Sequence, residues 1–454
     1  MIVAALMDLI DVTIVNVALP TVQRDLGASA TQIEWVVSAY MLAFAALLLL
    51  AGRLGDLVGR KRMFMIGVAA FGVASLLSAV AQDPTWLIGA RTLQGAAAAV
   101  IVPQVLATAR AIFDGQERGS VFALYGAIGG MASAAGLLLG GVLTDADLFG
   151  WGWRTIFVVN IPVALGVLVA AAVLVPETRA REAKRPDLLG AAILVGALVA
   201  IVFPLLEGRR LGWPAWGWGC LALGIVALGA LGLVDARRRH GDVAALLPTR
   251  LFAYRAFAAG ALLQLTFFAA MQGFSLTLAL WVQSGQGFSP IRAGLTTVAF
   301  SVGAFITAPI APQLAVRAGR IVMVAGAALM AAGIVGVDIA AHHAGNEVSP
   351  WALVPGLAVA GAGLGLLVVP LTNVVLSVVP RDEAGEASGV FSTAQQLGGA
   401  LGVAIVGTIF FDRVASAGFT DAFTRAAPFV AAAFAACGLL ALMLPRTAVL
   451  DPYG

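Results

Sequence analysis

Charge is scarce in this chain of 454 residues: only 11% of them are Asp, Glu, Lys or Arg, against about 25% in soluble domains. Histidine is scarcer still, with only His240, His342 and His343, and the two cysteines, Cys220 and Cys437, lie in separate apolar runs. That leaves no disulfide frame and no ligand spacing for a metal site, and no nucleophile–His–acid set for an enzyme. A phosphate loop is also missing, so ATP is not expected to drive this chain. The net charge of +3 is small and the basic residues sit in short clusters. They read as orientation signals rather than a nucleic-acid surface. No cofactor is implied.

Apolar residues dominate instead, at 61%, with a mean hydropathy of +0.97. A water-soluble core cannot hide that much apolar surface, so the chain reads as an all-α protein that crosses a lipid bilayer many times. A span needs roughly 20 mostly apolar residues, and about fourteen such segments are present. They run near 1–22, 33–52, 63–82, 86–111, 120–143, 155–175, 187–206, 215–235, 255–283, 291–313, 321–341, 350–378, 386–411 and 426–445. The first lacks a basic leader and outruns the apolar core of a cleavable signal. It also starts abruptly: either the true start lies upstream or an N-terminal tail is absent.

Basic residues test the topology. With the N-terminus inside, the cytoplasmic side receives nineteen: Arg53, Arg60, Lys61, Arg62, Arg110, Arg118, Arg179, Arg181, Lys184, Arg185, Arg237, Arg238, Arg239, Arg250, Arg255, Arg317, Arg320, Arg381 and Arg446. The outside receives seven: Arg24, Arg154, Arg209, Arg210, Arg292, Arg413 and Arg425. This bias predicts an even number of spans in a cytoplasmic membrane, with both termini cytoplasmic.

A weak internal repeat divides the chain. GRLGDLVGRKR (Gly52–Arg62) and APIAPQLAVRAGR (Ala308–Arg320) share an apolar lead, a Leu and a closing Gly-Arg. The second copy has Val316 where the first has Asp56. Equivalent loops imply two six-helix bundles related by an axis along the membrane normal. The expected divisions are an N-terminal bundle over 1–177, basic linkers and an inserted helix pair over 178–251, a C-terminal bundle over 252–446 and a short tail over 447–454.

Asp11 stands inside the first span. An ionised carboxylate in hydrocarbon costs roughly 2.5–3.5 kcal/mol even on the generous insertion scale, so it normally faces protein or a water-filled cavity and marks a functional site. It is the first candidate for a proton carrier, against the plainer reading that it only caps or hydrogen-bonds a neighbour. Asp8 lies three residues earlier on nearly the same helix face, where a structural role stands beside one in coupling. Arg91 is the basic residue well inside a span. Its depth differs from that of Asp11 by roughly 9 Å at the helical rise, which a long arginine can bridge directly or through water. Arg91 would hold Asp11 charged in one conformation and release it in another. The alternative is a static arginine bound to carbonyls.

Several stretches carry a resemblance. LIDVTIVNVALP (Leu9–Pro20), GRLGDLVGRKR, RTLQG (Arg91–Gly95), WRTIFVVNIP (Trp153–Pro162) and GEASGVFSTAQQLGGALG (Gly385–Gly402) together resemble the fourteen-span drug:proton antiporters of the major facilitator superfamily over essentially the whole chain. The resemblance implies proton-coupled export of small amphipathic compounds (drugs, antibiotics, toxic metabolites) by alternating access. Its partners would be a small-molecule substrate, protons and the lipid bilayer. It also implies a gating latch in which Asp56, near a helix N-terminus, meets a basic partner among Arg53, Arg60, Lys61 and Arg62. Lacking the second acid, the latch would matter in the first half only. One motif departs: AGLLLGG (Ala135–Gly141) carries Leu137 where the antiporters have proline. Gly136 and Gly140 keep the small-residue spacing for close helix packing, with Gly141 beside them. The departure keeps proton-coupled uptake of a metabolite open as an alternative, and a transport-inactive membrane sensor is a second rival of another class.

Polar residues expected to face a central cavity are candidate substrate contacts: Asn16, Tyr40, Gln94, Gln264, Gln272, Asn373, Gln395 and Gln396. For each, interhelical glue is a commoner role than ligand contact. Phe267, Phe268 and Met271 suit an adaptable apolar pocket or plain core packing. His342 and His343 are expected in an outer loop with Glu347, as a solvated turn.

Overall fold

The computed structural model describes residues 1–113, 117, 132, 135–179, 187–237, 248–344, 347–380 and 383–445. The first part of the expected fifth span, Arg118, Arg181, Lys184, Arg185, Arg238, Arg239, His240, Arg381, Arg446 and the tail over 447–454 lie outside the described residues.

Local sequence sets the helix starts. Ser29 caps α2 (Ala30–Val58) with a complete capping box: its hydroxyl accepts from the Gln32 amide at 3.2 Å, and the Gln32 side chain accepts from the Ser29 amide at 2.9 Å. Asp83 does the same for α4 (Pro84–Ile112), accepting from the Trp86 amide at 2.9 Å, with Pro84 at the first position where its missing N–H costs nothing. α1 (Ile2–Leu26) ends on Gly27 in the left-handed region (φ 61°). α3 (Arg60–Ala79) follows α2 across Gly59 alone, at φ 120°, a conformation that favours glycine. α5 (Ala135–Asp145) and α6 (Gly152–Leu174) complete this set. α7 (Leu188–Glu207) and α8 (Ala215–Arg237) form the inserted pair.

The remaining helices are α9 (Arg255–Leu280), α10 (Pro290–Thr307), the short α11 (Ala311–Ala318), α12 (Ile321–Ala344), α13 (Pro350–Ser377) and α14 (Ala384–Ala441). Among the described residues no strand occurs, and twelve helices are long and apolar enough to cross a membrane. In lipid this is the expected solution, because a helix satisfies its backbone polar groups within itself. α14 has 58 residues but breaks at Gly418 (φ 82°). Unbroken it would be about 87 Å long, far beyond a bilayer core of about 30 Å. The break divides it into the two last expected spans. α5 is the described end of the fifth.

Two compact units emerge, Met1–Thr249 and Arg250–Gly454, so the inserted pair belongs with the first. There α2 and α3 pack on α4, α3 packs on α6, and α7 packs on both α8 and α2. Phe64, Phe71, Trp153 and Phe157 fill the interior. In the second unit α9 packs on α14, α13 lies between α10 and α12, and α12 touches α14. Trp281, in a π-turn that ends α9, stacks on Phe423 at 4.3 Å between ring centres. One expectation is corrected here. His342 and His343 lie in the last turn of α12 rather than in a loop, because the helix runs on to Ala344. His342 Nδ1 is 3.0 Å from the Asp338 carbonyl.

The sequence repeat is also structural. Gly59 and Gly319 both have positive φ, and each hands the chain to an arginine that reaches a backbone carbonyl. Arg60 Nη1 donates to Ala107 at 3.2 Å, and Arg320 Nη1 donates to Leu444 at 3.0 Å. The acid is what the second copy lacks: Val316 lies exposed on α11.

Candidate functional site

The polar core of the first unit is built on Asp11. Its helix is apolar along most of its length, so a side chain that cannot face lipid turns inward, and the carboxylate is fully buried. Three side chains converge on it. Arg91 Nη1, from the second turn of α4, donates to Asp11 Oδ2 at 2.5 Å. Gln94 Nε2, one turn further along α4, donates to Oδ1 at 2.8 Å, and Asn160 Nδ2, on α6, donates to the same oxygen at 2.8 Å. Behind them, Ser75 Oγ on α3 accepts from Gln94 at 3.0 Å and from Asn160 at 3.4 Å. Four helices thus meet around one carboxylate.

Arg91 is held on every side. Besides Asp11 it donates to Gln94 Oε1 at 2.6 Å and, through Nε, to the Val36 carbonyl at 3.4 Å. Its guanidinium lies 4.3 Å above the Tyr40 ring and 5.9 Å from Phe157, a cation–π arrangement in a desolvated setting. Arg91 thus meets both the acid and a backbone carbonyl. The expected depth offset is spanned by direct contact. Tyr40 in turn donates its hydroxyl to Asp8, which is itself buried. Asp8, Tyr40, Arg91 and Asp11 form a continuous chain of contacts.

Tyr40 and Gln94 were expected to line a substrate cavity. They are fully buried in this network and their polar atoms have partners in it, the arrangement of interhelical glue. Asn160 and Ser75 were missed. The signal for Asn160 lay inside WRTIFVVNIP, and Ser75 is a small polar residue in mid-span. Of the other candidates, Asn16 is buried on α1 and Gln264 donates to Gln395 at 3.2 Å within the second unit. Gln272 and Gln396 are half-buried, and Asn373 is exposed.

Asp56 lies in the last turn of α2, just before α3 begins at Arg60, and its carboxylate meets a basic side chain rather than helix amides. Arg60 donates to Asp56 Oδ1 from Nε at 3.2 Å and Nη2 at 2.9 Å. At the C-terminal end of a helix the backbone dipole is unfavourable to a carboxylate, and the arginine offsets it. Lys61 Nζ donates to the Ala172 carbonyl at 2.8 Å, and its backbone amide to Glu177 Oε1 at 3.1 Å. Arg62 is 3.7 Å from Glu177, and Arg53 lies three residues before Asp56. The start of α3 is thereby tied to the stretch that follows α6.

Glycines set the spacing of α5 against α1. A Cβ at Gly140 would meet the Ile14 carbonyl at 2.9 Å, and one at Gly136 would collide with Thr13. Gly141 is buried beside them. This is the close backbone approach that small residues permit in lipid, and it seats α1 a turn from Asp11.

The sequence matches the Major Facilitator Superfamily over residues 1–403. It is 40% identical over 437 residues to a probable actinorhodin transporter of Streptomyces coelicolor, covering 95% of this chain and 75% of that protein. It is 38% identical over 418 residues to a puromycin resistance protein of Streptomyces alboniger, covering 89% and 80%. A crystal structure of a peptide transporter in complex with sulfate superposes with a TM-score of 0.70 at 16% identity, covering 97% of this chain and 92% of that one, a likeness of fold alone. With its polytopic helices, this is a membrane transporter for small molecules rather than an enzyme, and the chain belongs to the Major Facilitator Superfamily.

Proposed function

We propose that the chain exports small amphipathic compounds across the cytoplasmic membrane in exchange for protons, by alternating access, with both termini cytoplasmic. The similarity to a probable actinorhodin transporter and a puromycin resistance protein supports export over uptake or a transport-inactive sensor. The observation that carries the coupling is the convergence of Arg91, Gln94 and Asn160 on the buried Asp11. Those donors suit a carboxylate. A proton arriving from outside neutralises Asp11, removes the charge that Arg91 pairs with, and frees α1 and α4 to shift against each other. Release of that proton inside restores the ion pair and is exchanged for substrate capture. Asp8 shares the site through Tyr40.

Asp56 with Arg60 is the gating latch in this reading, with Lys61 and Arg53 beside it. Opening and closing at this end is supported by the ion pair across Gly59. Asn16, Gln264, Gln272, Asn373, Gln395 and Gln396 remain the candidate substrate contacts. Everted membrane vesicles with an imposed pH gradient test the function. Accumulation of a lipophilic dye that collapses with a protonophore supports export, whereas accumulation in right-side-out vesicles contradicts it.

A further inference from the structure

A second buried acid lies outside this network. Glu34, in the second turn of α2, is fully buried, and neither carboxylate oxygen has a hydrogen-bond partner among the described residues. Ser38 lies one turn further along the same helix, also fully buried, and its hydroxyl is likewise without a partner. Even the usual bond from a mid-helix serine back to the carbonyl four residues earlier is not made. Residues four apart share one helix face, with Cβ atoms about 5–6 Å apart. Two orphaned polar groups on one face, in a segment where each costs stability, are a site rather than a coincidence of packing.

The surroundings are asymmetric. α2 packs here on α7 of the inserted pair. The charges that act on Glu34 are Arg209 and Glu207, at the end of α7 and in the turn after it. Glu207 is already engaged, accepting from Trp35 Nε1 at 3.1 Å and Arg210 Nε at 2.7 Å. From α4, Arg91 reaches only the Val36 carbonyl in this region and spends its charge on Asp11. The turn that carries Arg209 is tightly built. Trp213, a non-glycine residue at φ 54°, donates its amide to the Gly208 carbonyl at 2.8 Å. Such backbone conformations persist only where the surroundings enforce them.

We propose that Glu34 is a second proton-binding carboxyl, separate from Asp11, which alternates between a neutral form hydrogen-bonded to Ser38 and an ionised form held by Arg209. In the neutral form hydronium has given its proton to a Glu34 oxygen, leaving water, and the new O–H donates to Ser38 Oγ. In the ionised form that proton has returned to water, and the carboxylate draws Arg209, and with it the turn between α7 and α8, onto α2. The seat of the inserted pair on α2 then follows the pH at this end of the molecule. That this end is the outer one rests on the topology proposed above; the site itself does not.

Infrared difference spectroscopy between acidic and alkaline buffer, on the purified full chain in lipid nanodiscs, tests it without measuring transport. Wild type is expected to show an acid-to-carboxylate band pair that is lost in Glu34→Gln and kept in Asp11→Asn. Ser38→Ala, which retains the carboxyl, is expected to move the acid band because its hydrogen-bond acceptor is gone. Glu34→Asp keeps a band pair, which separates loss of the group from loss of the fold. A Glu34→Gln spectrum identical to wild type, or an acid band unmoved by Ser38→Ala, overturns the proposal. Bands unaffected in Asp11→Asn together with normal gradient-driven flux in that variant would sink the coupling role of Asp11 and leave the Glu34 site standing.

Discussion

Arg91 and Asp11, from α4 and α1, meet at 2.5 Å with 2% and 0% of their side chains exposed. Removing one partner of a buried pair leaves an uncompensated charge and typically costs 3–5 kcal/mol. Arg91→Ala is therefore expected to lower the melting temperature of the purified transporter and to change the pH profile of flux. A destabilised protein with an unchanged profile would make Arg91 a structural arginine only.

Asn160 contributes a single hydrogen bond to a charged oxygen, of the kind worth about 1.5–3 kcal/mol. Asn160→Ala is expected to slow gradient-driven flux, because Asp11 Oδ1 then keeps only Gln94 as a donor among the described residues. Initial rates of dye efflux in vesicles read this, and a wild-type rate would remove Asn160 from the coupling site.

Much of this site was legible in the sequence. A carboxylate in an apolar span has few places to go, and that made Asp11 and Arg91 visible. Asn160 and Ser75 were not, because uncharged polar residues in spans carry little energy individually and resemble ordinary packing. Glu34 drew no notice, because it lies near the start of an expected span, where charge is cheap; its burial comes from tertiary packing that includes α7 on α2. The division between the last two spans was legible from hydropathy, but not that helix runs up to both sides of a single glycine, Gly418, since its φ depends on tertiary context. The bond from Tyr40 to Asp8 was not legible, because spacing along α2 does not reveal what the hydroxyl meets.

Gly140 leaves no room for a side chain against α1. Gly140→Val is expected to destabilise by about 1–3 kcal/mol through overpacking, lowering the yield of monodisperse protein in detergent, while Leu137→Ala one turn away is tolerated. Equal yields would show that α1 and α5 pack more loosely than the glycine spacing indicates.

The Asp56–Arg60 pair is partly exposed, with 29% of the Asp56 side chain accessible, and such pairs contribute about 0–1 kcal/mol to stability. Asp56→Asn is therefore expected to leave the melting temperature near wild type and to slow transport, with the Asp56→Arg, Arg60→Asp exchange recovering part of the rate. A full-speed Asp56→Asn would dismiss the latch.

The most direct test is initial-rate flux in everted vesicles under an imposed pH gradient for Asp11→Asn, at matched expression. The amide keeps the size of the side chain and can still hydrogen-bond, but it cannot carry a proton. Loss of gradient-driven flux with retained substrate binding is the predicted result. Wild-type flux from Asp11→Asn would contradict the account.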